Sequence, residues 1–142
     1  MKKSLFFAIA LVASVLALTS CEKNEEVENE KVTNPLVGTW KYSVDAGWSM
    51  IYYTYVFDET NYSFSEKNNV DERIQKGTYE LNQTECTGVL HQKTVTMIDG
   101  HTNGTSPMEE DIRFKYVIKD KSLTITLGLD WERPFEITLT KE

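Results

Sequence analysis

The strongest constraint on the fold is an alternation of apolar and polar residues that recurs along the chain. In its first run Trp40, Tyr42 and Val44 alternate with polar neighbours. Further runs include Ile51, Tyr53, Tyr55, Phe57, then Tyr62, Phe64, then Ile112, Phe114, Tyr116, Ile118, then Leu123, Ile125, Leu127, and finally Phe135, Ile137, Leu139. A period of two with one apolar face is typical of antiparallel strands that bury one side.

Turn-forming residues separate these runs. Asp58-Glu59-Thr60-Asn61 lies between two of them, and Lys119-Asp120-Lys121 is short enough for a hairpin. Less regular strand patterns cover residues 74–81 and 89–98, and a Gly- and Asn-rich loop is predicted over residues 99–104. We therefore predict an all-β domain over residues 34–142, a small antiparallel eight-stranded meander barrel without a helix. Closing the barrel removes exposed strand edges.

The first twenty residues have the order of a secretory signal peptide. A basic start, Met1-Lys2-Lys3, precedes a nearly unbroken apolar run from Leu5 to Leu18. That run is shorter than the ~20 residues of a comfortable membrane span. We assign residues 1–20 to a cleaved signal.

The residues at the expected cleavage site, Leu18-Thr19-Ser20-Cys21, resemble the lipobox of bacterial lipoproteins. This resemblance implies that Cys21 carries fatty acyl chains such as palmitate and becomes the new N-terminus. The alternative is an ordinary cleaved signal with a cysteine there by chance.

Residues 21–33 are expected to form the lipid-attachment site and a flexible tether, because they are acidic and poor in apolar residues. The charge run after Cys21 also resembles surface-export signals of some Gram-negative lipoproteins. A solvated linker without an export role explains it equally well. The predicted location is the outer membrane, facing the periplasm or exposed at the cell surface.

Net charge excludes one class of partner. The chain carries −7, and cleavage would remove Lys2 and Lys3 as well. Nucleic acid binding requires a basic surface, so no nucleic acid partner is expected. The predicted membrane contact is the covalent lipid on Cys21, since no polybasic patch is present.

Several short motifs after the tether resemble lipocalin-like lipoproteins of Gram-negative bacteria. They are Leu36-Val37-Gly38-Thr39-Trp40, the stretch from Phe57-Asp58 to Tyr62, and Gly77-Thr78-Tyr79. The resemblance extends from Leu36 to Lys141. It implies a lipocalin-like barrel in which Gly38 and Trp40 belong to a structural motif at one end. It also implies a basic side chain from late in the chain stacked on Trp40, for which Arg133 is the candidate.

No arrangement of residues points to catalysis. His91 lies in a strand-like run and His101 in a loop, and neither has the closely spaced partners that a zinc site requires. Cys86 has no neighbouring His or basic cluster to activate a thiolate, and is expected to be a small residue near a strand end or turn. We predict no enzyme activity, no metal and no cofactor.

Aromatic residues supply the remaining functional indication. Inward tyrosines line many ligand pockets because the ring is apolar and the hydroxyl is directional. The candidate ligand-binding residues are Tyr53, Tyr55, Phe57, Tyr79, Phe114 and Tyr116. The same side chains could instead fill the interior, since an eight-stranded barrel holds its own side chains or one small ligand.

Two hypotheses follow. In the first, the protein is a non-catalytic binding module for a small apolar or aromatic ligand. In the second, the barrel is a filled scaffold that contacts a surface protein or glycan through Trp48, Tyr52 and Trp131.

Overall fold

A computed structural model describes residues 33–101 and 103–142. The predicted signal peptide, Cys21 and all of the predicted tether except Thr33 lie outside the described residues. Within the described residues no helix is long and apolar enough to span a bilayer.

The described residues form eight strands that close into a barrel in chain order, each antiparallel to the next. The strands are β1 (Gly38–Asp45), β2 (Met50–Phe57), β3 (Asn61–Lys67), β4 (Glu72–Asn82), β5 (Thr87–Ile98), β6 (Asn103–Lys119), β7 (Ser122–Leu127) and β8 (Phe135–Lys141). The predicted all-β meander barrel is confirmed.

Alternation along the strands determines the faces of the sheet. Trp40 pairs with Tyr55 across β1 and β2, and both are buried. The neighbouring pair, Lys41 and Thr54, points outward. The buried apolar core contains Leu36, Trp40, Tyr55, Phe57, Tyr62, Tyr79, Cys86, Leu90, Ile112, Phe114, Tyr116, Ile118, Leu123, Ile125, Leu127, Ile137 and Leu139.

Side-chain caps fix two of the hairpins locally. Asp58 Oδ1 accepts hydrogen bonds from the backbone N–H groups of Thr60 at 2.8 Å and Asn61 at 2.6 Å. These bonds, with one from the Asn61 side chain, lower the pKa of Asp58. Asn68 Oδ1 accepts from the N–H groups of Val70 and Asp71, both at 2.8 Å, in the β3–β4 turn. Asp and Asn side chains favour turns through such bonds, which is why the Asp58 turn could be predicted from the sequence.

The β6–β7 and β4–β5 connections also agree with prediction. Asp120 adopts φ 56° between β6 and β7. Cys86 is buried in the β4–β5 turn with φ 54°, and its carbonyl accepts a hydrogen bond from the N–H of Tyr116 at 2.9 Å.

β6 is longer than the sequence pattern indicates. It starts at Asn103, where a loop was predicted, and runs along β5 through polar residues before the apolar run at Ile112. Pairing with β5 supplies the backbone hydrogen bonds there, so this segment needs no apolar face to be a strand.

The two ends of the barrel differ. Among the described residues, β1 and β8 pair at two positions, Trp40 with Lys141 and Lys41 with Thr140. Glu142 continues the contact on one side, where its N–H donates to the carbonyl of Thr39 at 3.0 Å. On the other side, from Tyr42 onward, β1 and β8 form no further pairs among the described residues. We call the end at Trp40 the closed end. The opposite end, where the β1–β2, β3–β4, β5–β6 and β7–β8 connections lie, is the open end.

Candidate functional site

The closed end is filled by the protein's own side chains. Trp40 is 1% exposed, and its Nε1–H donates a hydrogen bond to the carbonyl of Leu36 at 2.8 Å. Gly38 and Trp40 therefore occupy the end of the barrel, as the sequence motif suggested.

The basic side chain on Trp40 is Lys141, whose Nζ lies 5.1 Å from the ring centre. Arg133, the predicted candidate, lies in the exposed β7–β8 loop. The reason is register, because β8 places Lys141 directly opposite Trp40 while Arg133 precedes the strand.

Most of the predicted ligand-binding residues belong to the filled core. Tyr55, Phe57, Tyr79, Phe114 and Tyr116 are all buried. Their rings pack on one another, for example Tyr55 on Phe57 at 5.6 Å between centres. Phe114 also borders a separate cavity of about 220 Å³ between β4, β5 and β6.

Tyr53 is the predicted residue that reaches the open end. Its ring stacks between those of Tyr42, at 6.0 Å, and Phe64, at 6.2 Å. The stack continues inward, since Phe64 lies 4.6 Å from Tyr55. One wall of the open end is thus a continuous row of rings that passes from the partly exposed Tyr42 to the core.

A cleft of about 340 Å³ lies between this wall and β8. Its lining residues are Tyr42, Val44, Tyr53, Phe135, Glu136, Ile137 and Thr138. The cleft follows the separation of β1 and β8, which leaves Tyr42 and Phe135 about half exposed (40% and 47%). Its volume falls in the range of small-molecule sites, about 300–1,000 Å³.

The remaining inner wall is polar, in contrast to the almost wholly apolar interior that the sequence predicts. Strand register places Glu66 beside Tyr53, and Gln75 beside Phe64, on the inner face. Arg73, Gln92 and Glu110 follow on inner positions of β4, β5 and β6. The strand patterns in this region were the least regular, so sequence alone did not identify these positions.

Buried polar atoms occur on this wall. Gln92 is 1% exposed, and its Nε2 lies 3.2 Å from Met108 Sδ. Gln92 Oε1 and the Tyr62 hydroxyl have no hydrogen-bond partner among the described residues.

Burial and nearby carboxylates raise the pKa values of the inner tyrosines. Burial raises the pKa of Tyr53, and the charges of Glu66 and then Tyr42 raise it further. Burial and the Glu110 carboxylate raise the pKa of Tyr62 to about 12. The tyrosines beside the inner wall are therefore neutral hydroxyls at physiological pH, next to negative charge.

The histidines do not enter the cleft. His91 lies on the outer face, with Nδ1 2.7 Å from Asp111 Oδ1 and Nε2 3.7 Å from Glu80 Oε2. His101 is exposed in the β5–β6 turn. Within residues 33–101 and 103–142, no group of three His, Cys, Asp or Glu side chains is arranged to hold a metal ion.

A second set of aromatic residues is exposed. Trp48 is 74% exposed in the β1–β2 turn, and Trp131 lies partly exposed in the β7–β8 loop, also at the open end. Tyr52 points outward from β2, next to the inward Tyr53.

The fold and site define an eight-stranded antiparallel barrel with one filled end and an aromatic cleft at the other. No protein-family model, curated protein or solved structure matches this chain.

Proposed function

We propose that this protein is a lipocalin-like lipoprotein of the Gram-negative outer membrane that binds a small apolar or aromatic ligand without catalysing a reaction. The observation that carries the binding role is the 340 Å³ cleft with the rings of Tyr42, Tyr53 and Phe135 in its walls. Rings that remain partly exposed beside a cavity offer apolar area that a ligand can bury.

The anchor in this proposal is a lipid on Cys21, and the lipobox-like sequence before it supports this role. The acyl chains would hold the domain at the membrane, and the acidic residues that follow would act as the tether. A ligand could then reach the open end from the aqueous side.

Binding is tested with indole as an aromatic probe and the full-length protein in lipid nanodiscs, with changes in aromatic NMR resonances as the readout. We expect shifts at Tyr42, Tyr53 and Phe135. Tyr53→Ala should weaken indole binding by about fivefold, because it removes a stacked ring worth about 1 kcal/mol.

The matched control is Tyr52→Ala, which removes the adjacent but outward ring. Both variants are measured in nanodiscs of the same lipid, so a difference in indole affinity between them reports on the cleft. Equal loss in the two variants, or no shifts at the cleft residues, would contradict the binding role.

The exposed aromatic residues support a second candidate function. Trp48, Tyr52 and Trp131 present large apolar side chains to solvent, as surfaces that contact proteins or glycans often do. In that case the barrel is a scaffold, and Tyr52→Ala rather than Tyr53→Ala should reduce recovery of a partner from solubilised outer membranes.

A further inference from the structure

The open-end cleft has an electrostatic character that narrows the class of ligand. Its lining includes the rings of Tyr42, Tyr53 and Phe135 and one acidic residue, Glu136, whose side chain lies at the outer rim on β8. No lysine or arginine is among the lining residues, which all belong to the described part of the chain. The faces of aromatic rings carry partial negative charge and attract cations.

Glu136 is available to a ligand. Its Oε2 accepts a hydrogen bond from the Thr126 hydroxyl at 3.2 Å, and its side chain is exposed. The ion pairs among the described residues do not include it. The Glu136 carboxylate therefore takes part in no ion pair within 4 Å among the described residues and can interact with a cation bound at the rim of the cleft.

Glu66 adds negative charge behind the aromatic wall. It is the inward cross-strand neighbour of Tyr53, and its negative charge helps to raise the pKa of the Tyr53 hydroxyl. The basic residue nearest in register is Arg73, opposite Glu66 on β4. The two side chains form no ion pair within 4 Å among the described residues.

We infer that the cleft selects small organic cations, such as quaternary or protonated amines, which bind over the rings of Tyr42, Tyr53 and Phe135 beside Glu136. This inference rests on the proposed binding function and specifies the charge of the ligand. Anions are disfavoured by the same carboxylates and by the overall charge of −7.

The test compares choline with 3,3-dimethyl-1-butanol, which has the same shape but a neutral carbon in place of the quaternary nitrogen. The full-length protein in nanodiscs is titrated with each, and the aromatic resonances of Tyr42, Tyr53 and Phe135 report binding. We expect choline to bind about tenfold more tightly, because its cation–π contacts and its attraction to one carboxylate both add to the binding free energy.

Two variants test whether the preference for choline arises from Glu136. Glu136→Gln keeps the shape and should reduce the preference for choline by about threefold, with the affinity for 3,3-dimethyl-1-butanol unchanged. Glu80→Gln, on the outer face of β4, is the charge-matched control and should change neither affinity. Added salt should weaken choline binding alone.

Equal affinities for the two probes, or a preference for the neutral one, would overturn the cation inference and leave the binding function intact. A choline preference that survives Glu136→Gln but falls with Glu80→Gln would overturn the assignment to this cleft. If neither probe nor indole shifts the cleft resonances, the proposed binding function itself fails.

Discussion

The ammonium group of Lys141 lies 5.1 Å from the centre of the Trp40 ring, at one of the two positions where β1 and β8 pair among the described residues. The contact joins the first strand of the barrel to the last. It therefore stabilises the closure of the barrel at the position where these two strands pair.

Lys141→Met should lower the free energy of unfolding by about 0.5–1 kcal/mol, because the cation over the ring is lost while the aliphatic chain remains. Urea unfolding followed by tryptophan fluorescence measures the change. Lys119→Met, at the exposed end of β6, is the control. The same loss in both variants would show that the ring contact contributes nothing.

Gly38→Ala should destabilise the protein by about 1–3 kcal/mol. Gly38 has φ +135°, and a Cβ there would lie 2.9 Å from Cε of Lys141. Gly104→Ala is the control, because a Cβ at Gly104 meets no atom within 4 Å. Comparable thermal stability of the two variants would contradict the role of Gly38.

Gln92→Leu should leave stability unchanged or raise it by up to about 1 kcal/mol. The substitution removes a buried acceptor without a partner among the described residues and replaces it with an apolar group of similar size. Thermal unfolding of the variant measures this. A loss above about 1 kcal/mol would mean that Gln92 makes a stabilising hydrogen bond, through water for example.

Stability should fall as the pH rises from about 10 to 12. The pKa of Tyr62 is raised from 10.0 to about 12 in the folded protein by burial and then by Glu110. The folded state keeps this proton where the unfolded chain loses it, so the stabilisation is complete below pH 10 and lost through pH 12.

Tyr62→Phe removes this titration and should make the decline shallower in urea unfolding at several pH values. Tyr52→Phe, on the outer face, serves as control. Identical slopes for the Tyr62→Phe variant and the unmodified protein would contradict the prediction.

Cys21→Ser should abolish acylation and release the protein from the membrane, or leave it unprocessed. If Cys21 carries the proposed lipid, its acyl chains supply about 0.8 kcal/mol of membrane affinity per buried methylene, and the acidic sequence after it is too poor in apolar residues to replace them. Membrane fractionation and intact-mass measurement give the result. A variant that is processed normally and stays in the membrane after a high-salt wash would contradict the lipoprotein proposal.

The strands and their inner faces followed from the sequence alone because both are local properties. Alternation places Trp40 and Tyr55 inside, and the side chain of Asp58 sets its own hairpin within three residues. The pattern weakened in β4 and β5, where bulges at Lys76/Gly77 and near Lys93 shift the register. Inner polar residues such as Gln92 were missed for that reason.

Tertiary structure alone decided which inward rings are core and which line a cleft. Tyr53 and Tyr55 are indistinguishable in the sequence, yet Tyr55 is buried while Tyr53 faces the space between β1 and β8. That difference depends on where the first and last strands stop pairing. The same long-range register placed Lys141, rather than Arg133, on Trp40. A period of two determines which way a side chain points, but barrel closure determines what it meets there.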